Sequence, residues 1–78
     1  MTFALLQFIY QSLFYTGYRD HLGSRIYLGN VLEYYTSPIH GVYFNVVYDA
    51  DLGYCFKNIA TGTVEKMDTT IASQFTII

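Results

Sequence analysis

Charged side chains are scarce in this chain. Asp, Glu, Lys and Arg make up 13% of its 78 residues, against about 25% in an average soluble domain. Nucleic-acid-binding proteins usually carry clustered Lys and Arg. Only four basic residues are present, and they are scattered along the chain at Arg19, Arg25, Lys57 and Lys66. The sequence therefore argues against a nucleic-acid partner.

Cysteine is almost absent. Cys55 is the only one, which excludes an intramolecular disulfide and a cysteine-based metal cluster. Residues 1–18 lack the basic start and the small-residue cleavage pattern of a signal peptide. They are uncharged and nearly long enough to span a membrane, but their glutamine and tyrosine content is too polar for a span. We expect a cytoplasmic protein with no membrane partner.

Linker sequence is absent too. The chain has one proline and neither a repeat nor a low-complexity tract. A chain of this length has room for one domain. Residues 1–78 are therefore expected to form a single domain.

The clearest structural signal is a β-hairpin over residues 42–59. Residues 42–48 alternate β-branched and aromatic side chains with the period of a strand. Residues 49–53 contain two aspartates and a glycine, which favour a turn. With these five residues as the loop, the apolar faces of both strands coincide. The expected cross-strand pairs are Tyr48 with Tyr54, Val46 with Phe56, Phe44 with Asn58 and, on the reverse face, Val47 with Cys55.

Residues 1–18 favour a helix. Thr2 is a suitable N-cap and Gly17 a suitable terminator. The apolar residues that recur at helical spacing are Leu5, Leu6, Ile9 and Leu13. The polar side of this helix is narrow, so we expect it to be covered by the sheet or by a second subunit.

Residues 25–35 allow two interpretations. Gly29 and Asn30 between apolar triplets favour a hairpin with a two-residue turn. The alternative is a helix capped by Ser24. The glycine and the Tyr, Val and Ile content favour strands. Pro38 then ends the element.

A second turn is expected at residues 60–62. A three-residue loop with Gly62 in left-handed geometry would place Lys57 opposite Glu65. A two-residue loop would place Lys57 opposite Lys66, which is unfavourable. We therefore predict the three-residue loop.

The C-terminal segment favours a short helix. Asp68 is a suitable N-cap, and Ile71 and Phe75 then face inward at i, i+4. Residues 76–78 are apolar, so we expect them to be held against this chain or another. Together these elements predict an α+β fold: an N-terminal helix packed on an antiparallel sheet of three to five strands, with a short C-terminal helix. The alternative is a small SH3-like β-barrel, which requires residues 25–35 to be extended and the last segment to close the sheet.

Catalytic and metal-binding patterns are weak. Asp20-His21 has no second ligand nearby and is typical of a surface turn. Asp49 and Asp51 resemble the start of a calcium loop, but its later ligand positions hold other residues, so a hairpin loop is the better interpretation. Cys55 has no base near it in sequence and is expected to be a small buried apolar residue. We predict no enzyme, no cofactor and no metal.

Tyrosine is the strongest remaining signal. Nine tyrosines cannot all fill so small a core with their hydroxyls satisfied. Either their rings cover a thin core with the hydroxyls in water, or several form a contact surface. We favour a contact surface, and the predicted partner-binding residues are Tyr34, Tyr35, Tyr43 and Asn45.

The function predicted from these features is a non-enzymatic protein-interaction module that occupies the surface of a partner macromolecule. Small, catalytically bare domains of this kind are common among inhibitors encoded by viruses and mobile elements. We also expect a homo-oligomer. Two alternatives stay open: a structural subunit of a larger assembly, and a small-ligand or nucleotide binder that uses tyrosine stacking.

Overall fold

Two antiparallel sheets form the fold. The computed structural model describes residues 14–34 and 42–78. Strands β1 and β2 form a two-stranded sheet, and the other five strands form a second sheet in the order β6-β5-β4-β3-β7. The elements in chain order are β1 (Tyr15–Arg19), β2 (Arg25–Tyr27), β3 (Val31–Tyr34), β4 (Tyr43–Asp49), β5 (Gly53–Asn58), β6 (Val64–Lys66), α1 (Thr69–Ala72) and β7 (Phe75–Ile77).

The α+β prediction, with its N-terminal helix packed on a sheet, is wrong. The segment where that helix was expected to end is β1, which pairs with β2. Gly17, the predicted terminator, lies inside β1 with φ of +87°, where the register with β2 shifts as at a β-bulge. Thr16 also donates its hydroxyl to the Ile26 carbonyl over 2.8 Å. The rest of the predicted helix, residues 1–13, lies outside the described residues.

The central hairpin is confirmed. β4 and β5 pair antiparallel with all four predicted cross-strand pairs. Asp49 starts the turn, because its Oδ1 accepts hydrogen bonds from the backbone N–H of Asp51 and Leu52. Gly53 closes the turn with φ of +82°, a conformation in which glycine has no steric penalty.

Residues 25–34 are extended, as predicted, but they do not form a hairpin with each other. β2 pairs with β1, whereas β3 pairs with β4 and β7. The connection at residues 28–30 is held by β4, since Gly29 donates to the Val46 carbonyl and Val46 donates to the Asn30 carbonyl, both over 2.9 Å. The predicted turn therefore connects a strand of the small sheet to a strand of the large sheet.

The predicted register between β5 and β6 is wrong by one residue. Glu65 lies opposite Phe56, and Lys57 lies opposite Val64. The loop is one residue longer than predicted because Asn58 organises it: its Oδ1 accepts from the N–H of residues 60 and 61, and its backbone pairs with Thr63. Glu65 and Lys57 consequently lie on opposite faces of the sheet.

The C-terminal segment contains one helical turn and then a strand. Asp68 caps α1 by accepting from the Ile71 N–H over 2.7 Å, as predicted. Phe75 was predicted in the helix but lies in β7, which pairs with β3. Residues 25–34 are extended, as the alternative small β fold requires. β7 joins the large sheet at the edge opposite β6 and does not close it into a barrel.

One hydrophobic core joins the two sheets. Ile26 of the small sheet packs with residues from the large sheet and α1. Phe75 lies at the centre, with its ring 5.1 Å from Phe56 and 5.5 Å from Phe44, measured between centroids. The fully or nearly fully buried members are Ile26, Leu32, Phe44, Val46, Phe56, Met67, Ala72 and Phe75.

Candidate partner-binding site

The predicted site residues lie on two faces of the large sheet. Tyr34 is half-buried on the core side, with its ring stacked on Phe75 at 4.7 Å and edge-on to Phe44 at 5.2 Å. Tyr43 is 40% exposed, and Asn45 is half-buried; both alternate onto the reverse face. Tyr35 lies outside the described residues. The structure therefore does not bring Tyr34 together with Tyr43 and Asn45, and their partner-binding role stays a prediction.

Tyr43 is accompanied by other exposed apolar side chains. Ile59 donates its N–H to the Tyr43 carbonyl over 3.0 Å, and it is 52% exposed. Val64 of β6 is 39% exposed. This end of the reverse face thus exposes three large apolar side chains, and they extend to the β6 edge.

A cleft of about 260 Å³ opens on the core side of the same strands. Its floor is aromatic, because Phe44 and Phe56 meet edge to face with ring centroids 5.5 Å apart and Tyr34 stands beside Phe44. Its rim is polar. The lining residues are Tyr34, Phe44, Phe56, Asn58, Thr61, Thr63 and Glu65.

Among the described residues that line this cleft, Glu65 is the only charged one. Burial raises the pKa of the Tyr34 hydroxyl, and the Glu65 carboxylate raises it further. The Tyr34 hydroxyl is therefore protonated and able to donate a hydrogen bond at neutral pH. The negative charge of Glu65 thus acts on the aromatic side chain of Tyr34.

β6 is an open edge of the sheet. All three of its residues are exposed. The Thr63 carbonyl accepts from β5 over 2.9 Å, and the Met67 N–H donates to β5 over 3.1 Å. Backbone direction alternates along an antiparallel ladder, so Val64 and Lys66 direct their N–H and C=O groups away from the sheet. Within the described residues, nothing covers these groups.

The opposite edge, β7, is partly covered by residues 20 and 21. The His21 N–H donates to the Phe75 carbonyl over 2.9 Å, and the Ile77 N–H donates to the Asp20 carboxylate over 3.3 Å. Phe75 and Ile77 are the two β7 residues whose backbone groups point outward, because Ile78 donates inward to β3. The two edges of the sheet therefore differ: residues 20 and 21 bond two outward groups of β7, and no described residue bonds those of β6.

Asp20 has a structural role. Its side chain is 5% exposed. In addition to its bond to β7, its Oδ1 accepts from the N–H of Leu22 over 3.0 Å and of Ser24 over 2.8 Å. A carboxylate occupied in this way holds a turn, which favours the structural interpretation of Asp20-His21.

Cys55 is fully buried on β5, as predicted. Burial raises the pKa of its thiol; the Asp49 carboxylate raises that pKa further, while Lys66 lowers it. A nucleophilic cysteine needs the opposite shift. Among residues 14–34 and 42–78, no group of three or more His, Cys, Asp or Glu could hold a metal ion.

The raised pKa and burial of Cys55 predict slow thiol chemistry. The native protein should react with iodoacetamide at pH 8 far more slowly than a free cysteine does, because the thiolate is the reactive form. In urea the rate should rise to that of free cysteine. The two rates can be measured by mass spectrometry of the alkylated chain. Rapid labelling of the native protein would contradict the buried position of Cys55.

Sequence reasoning missed both the open edge and the cleft. The open edge follows from the β5–β6 register and from which strand lies outermost, and neither can be read from local periodicity. One signal was available: Val64, Glu65 and Lys66 are bounded by turn residues and form a short, charged strand, which is typical of a sheet edge.

In the part of the chain that the structure describes, no helix is long and apolar enough to cross a membrane. Comparison of the sequence with models of known protein families and with curated protein sequences gives no match.

Proposed function

We propose that this domain is a non-enzymatic protein-interaction module that binds an extended segment of a partner protein along β6. One observation carries the proposal: Asp20 and His21 bond outward backbone groups of β7, whereas among the described residues no group bonds the outward N–H and C=O groups of Val64 and Lys66. Exposed strand edges are the surfaces on which partner strands add.

The side chains beside this edge can give the pairing specificity. A strand added to β6 presents alternate side chains to the two faces of the sheet. On the core side these side chains meet the cleft at Glu65. On the reverse face they meet exposed Val64 and the apolar surface near Tyr43. Backbone hydrogen bonds would then supply affinity, and these two surfaces would select the sequence that binds.

Proline at position 64 tests the edge directly. The Val64 N–H points outward, so Val64→Pro removes a donor for the partner while the β5–β6 ladder stays intact, as proline on edge strands allows. The probe is a linear peptide selected from a displayed random library on the wild-type domain. We expect Val64→Pro to weaken peptide binding at least about tenfold, through the lost hydrogen bond and the ring's obstruction of the edge. Binding is measured by fluorescence anisotropy.

Val64→Ala is the matched control, because it also loses the valine side chain but keeps the N–H. It should bind within about threefold of wild type, since it loses only a partly exposed apolar side chain. Equal binding by wild type and Val64→Pro would overturn β6 as the site. Failure to select any peptide would do the same. Tyr43→Ala should weaken binding. Tyr48 is also exposed but lies beside the turn between β4 and β5, so Tyr48→Ala should leave binding unchanged.

Self-association and a cytoplasmic location belong to this proposal as well. The low charge of the surface and the exposed apolar side chains support self-association. The single, buried cysteine is compatible with a reducing compartment. Light scattering behind size exclusion, over a hundredfold range of concentration, tests the oligomer: one constant monomer mass would remove it from the proposal.

A further inference from the structure

The cleft beside β6 has the chemistry of a site for a single cation. Half-buried Tyr34 supplies the most accessible aromatic ring of its lining, since Phe44 and Phe56 are 7% and 2% exposed. The faces of aromatic rings attract ammonium and guanidinium groups. The cleft's one charged lining residue within 14–34 and 42–78 is Glu65. Small-molecule pockets usually enclose about 300–1,000 Å³, so a cleft of about 260 Å³ suits one long side chain better than a whole cofactor.

Glu65 has no cationic partner among the described residues. Its neighbours in the β5–β6 ladder, Lys57 and Lys66, alternate onto the reverse face, because Glu65 shares the core face with Phe56. A cation from outside the domain would thus meet an unpaired carboxylate beside aromatic rings.

We propose that the cleft receives one lysine or arginine side chain from the extended partner segment that pairs with β6. This inference rests on the proposed function and specifies the partner's chemistry. Val64 and Lys66 carry the outward hydrogen-bonding groups, so the partner residue opposite Glu65 forms a non-hydrogen-bonded pair with it. In antiparallel sheets the two Cα atoms of such a pair are closer than those of a hydrogen-bonded pair. The side chain of that partner residue lies on the core face, next to the cleft.

The flanking positions follow from the same alternation. The partner residue opposite Lys66 faces the reverse side, where an acidic side chain complements two lysines. The residue opposite Val64 faces the same side and suits a β-branched apolar side chain. For an antiparallel partner the segment therefore has the order acidic, basic, β-branched.

A second copy of this chain does not meet these requirements through β6. Two β6 strands that pair through Val64 and Lys66 place Glu65 opposite an odd-numbered residue, because backbone direction alternates with a period of two. Near the centre of the strand that residue is Thr63, Glu65 or Met67. None is basic, and two opposed glutamates repel each other. Charge complementarity thus favours a segment of another protein.

The test uses the full chain and a short peptide, blocked at both ends, with glutamate–lysine–valine at its centre and threonine on either side. The matched peptide has norleucine in place of lysine, which keeps the length and removes the charge. We expect the lysine peptide to bind about five- to tenfold more tightly, from one carboxylate contact and one cation–π contact. Glu65→Gln should lower affinity for the lysine peptide by about threefold and leave the norleucine peptide unchanged.

The outcomes separate this inference from the proposed function. Equal binding of the two peptides to wild type, with both lost in Val64→Pro, would overturn the cation site and support the edge. A preference for lysine that persists at full affinity in Val64→Pro would support the cleft and overturn the edge. Equal loss of both peptides in Glu65→Gln would overturn the role of its charge. If neither peptide binds the wild-type chain, this partner chemistry is wrong.

Discussion

Phe56→Ala is expected to lower the free energy of unfolding by about 3–5 kcal/mol, as large-to-small core changes do. The Phe56 side chain is 2% exposed. Its ring packs against Phe44 and Phe75 with centroids 5.5 Å and 5.1 Å away, so the cavity is bounded by rings anchored in two other strands and can collapse only in part. Urea denaturation followed by circular dichroism measures the change.

Tyr48→Ala is the control for this prediction. Tyr48 belongs to the same hairpin and lies on the same face, but it is 62% exposed. Its loss should cost less than about 1 kcal/mol, the range of a surface substitution with one ring contact. If Phe56→Ala unfolds at the urea concentration of wild type, the side of the sheet that forms the core has been assigned wrongly.

Asp20→Ala should have the second-largest effect, a loss of about 2–4 kcal/mol, because three backbone N–H groups lose a charged acceptor. These groups belong to Leu22, Ser24 and Ile77. The bond to Ile77 joins residues 57 positions apart in sequence, so its loss should also release β7. Denaturation in urea gives the energy, and amide hydrogen exchange at Ile77 reports the release.

Asp20→Asn removes the negative charge of the side chain but keeps one acceptor oxygen. Asparagine keeps one oxygen for the Leu22 and Ser24 amides but no second acceptor for Ile77. We expect it to recover about half of the loss, because neutral hydrogen bonds are roughly half as strong as charge-assisted ones. Unchanged exchange at Ile77 in both variants would show that Asp20 does not hold the β7 edge.

The central hairpin was predictable because its information is local. Strict alternation on both strands and a turn rich in aspartate and glycine leave one register in which the apolar faces coincide, and the structure has that register. The Asp68 cap was predictable for the same reason, since its side chain bonds a backbone amide three residues away.

The remaining elements depend on distant partners. Tyr15–Arg19 is compatible with either secondary structure until Arg25–Tyr27 pairs with it, because strand preference depends on neighbouring strands. The β5–β6 register was decided by the hydrogen bonds of Asn58, which periodicity does not contain. The candidate site was unpredictable for the same reasons. Its cleft is lined by residues from four strands, and its edge is open because no later strand pairs with β6.

The Asp20 carboxylate has a consequence for the growth of assemblies. A β-domain with two bare margins is a bivalent monomer, able to extend into a filament by repeated addition of strands. In the large sheet, Asp20 and His21 bond two outward backbone groups of β7, so a partner strand finds fewer free groups at that margin than at β6. Growth through both margins of this sheet is therefore disfavoured. The residue that holds one turn to the last strand thereby also opposes polymerisation through β7.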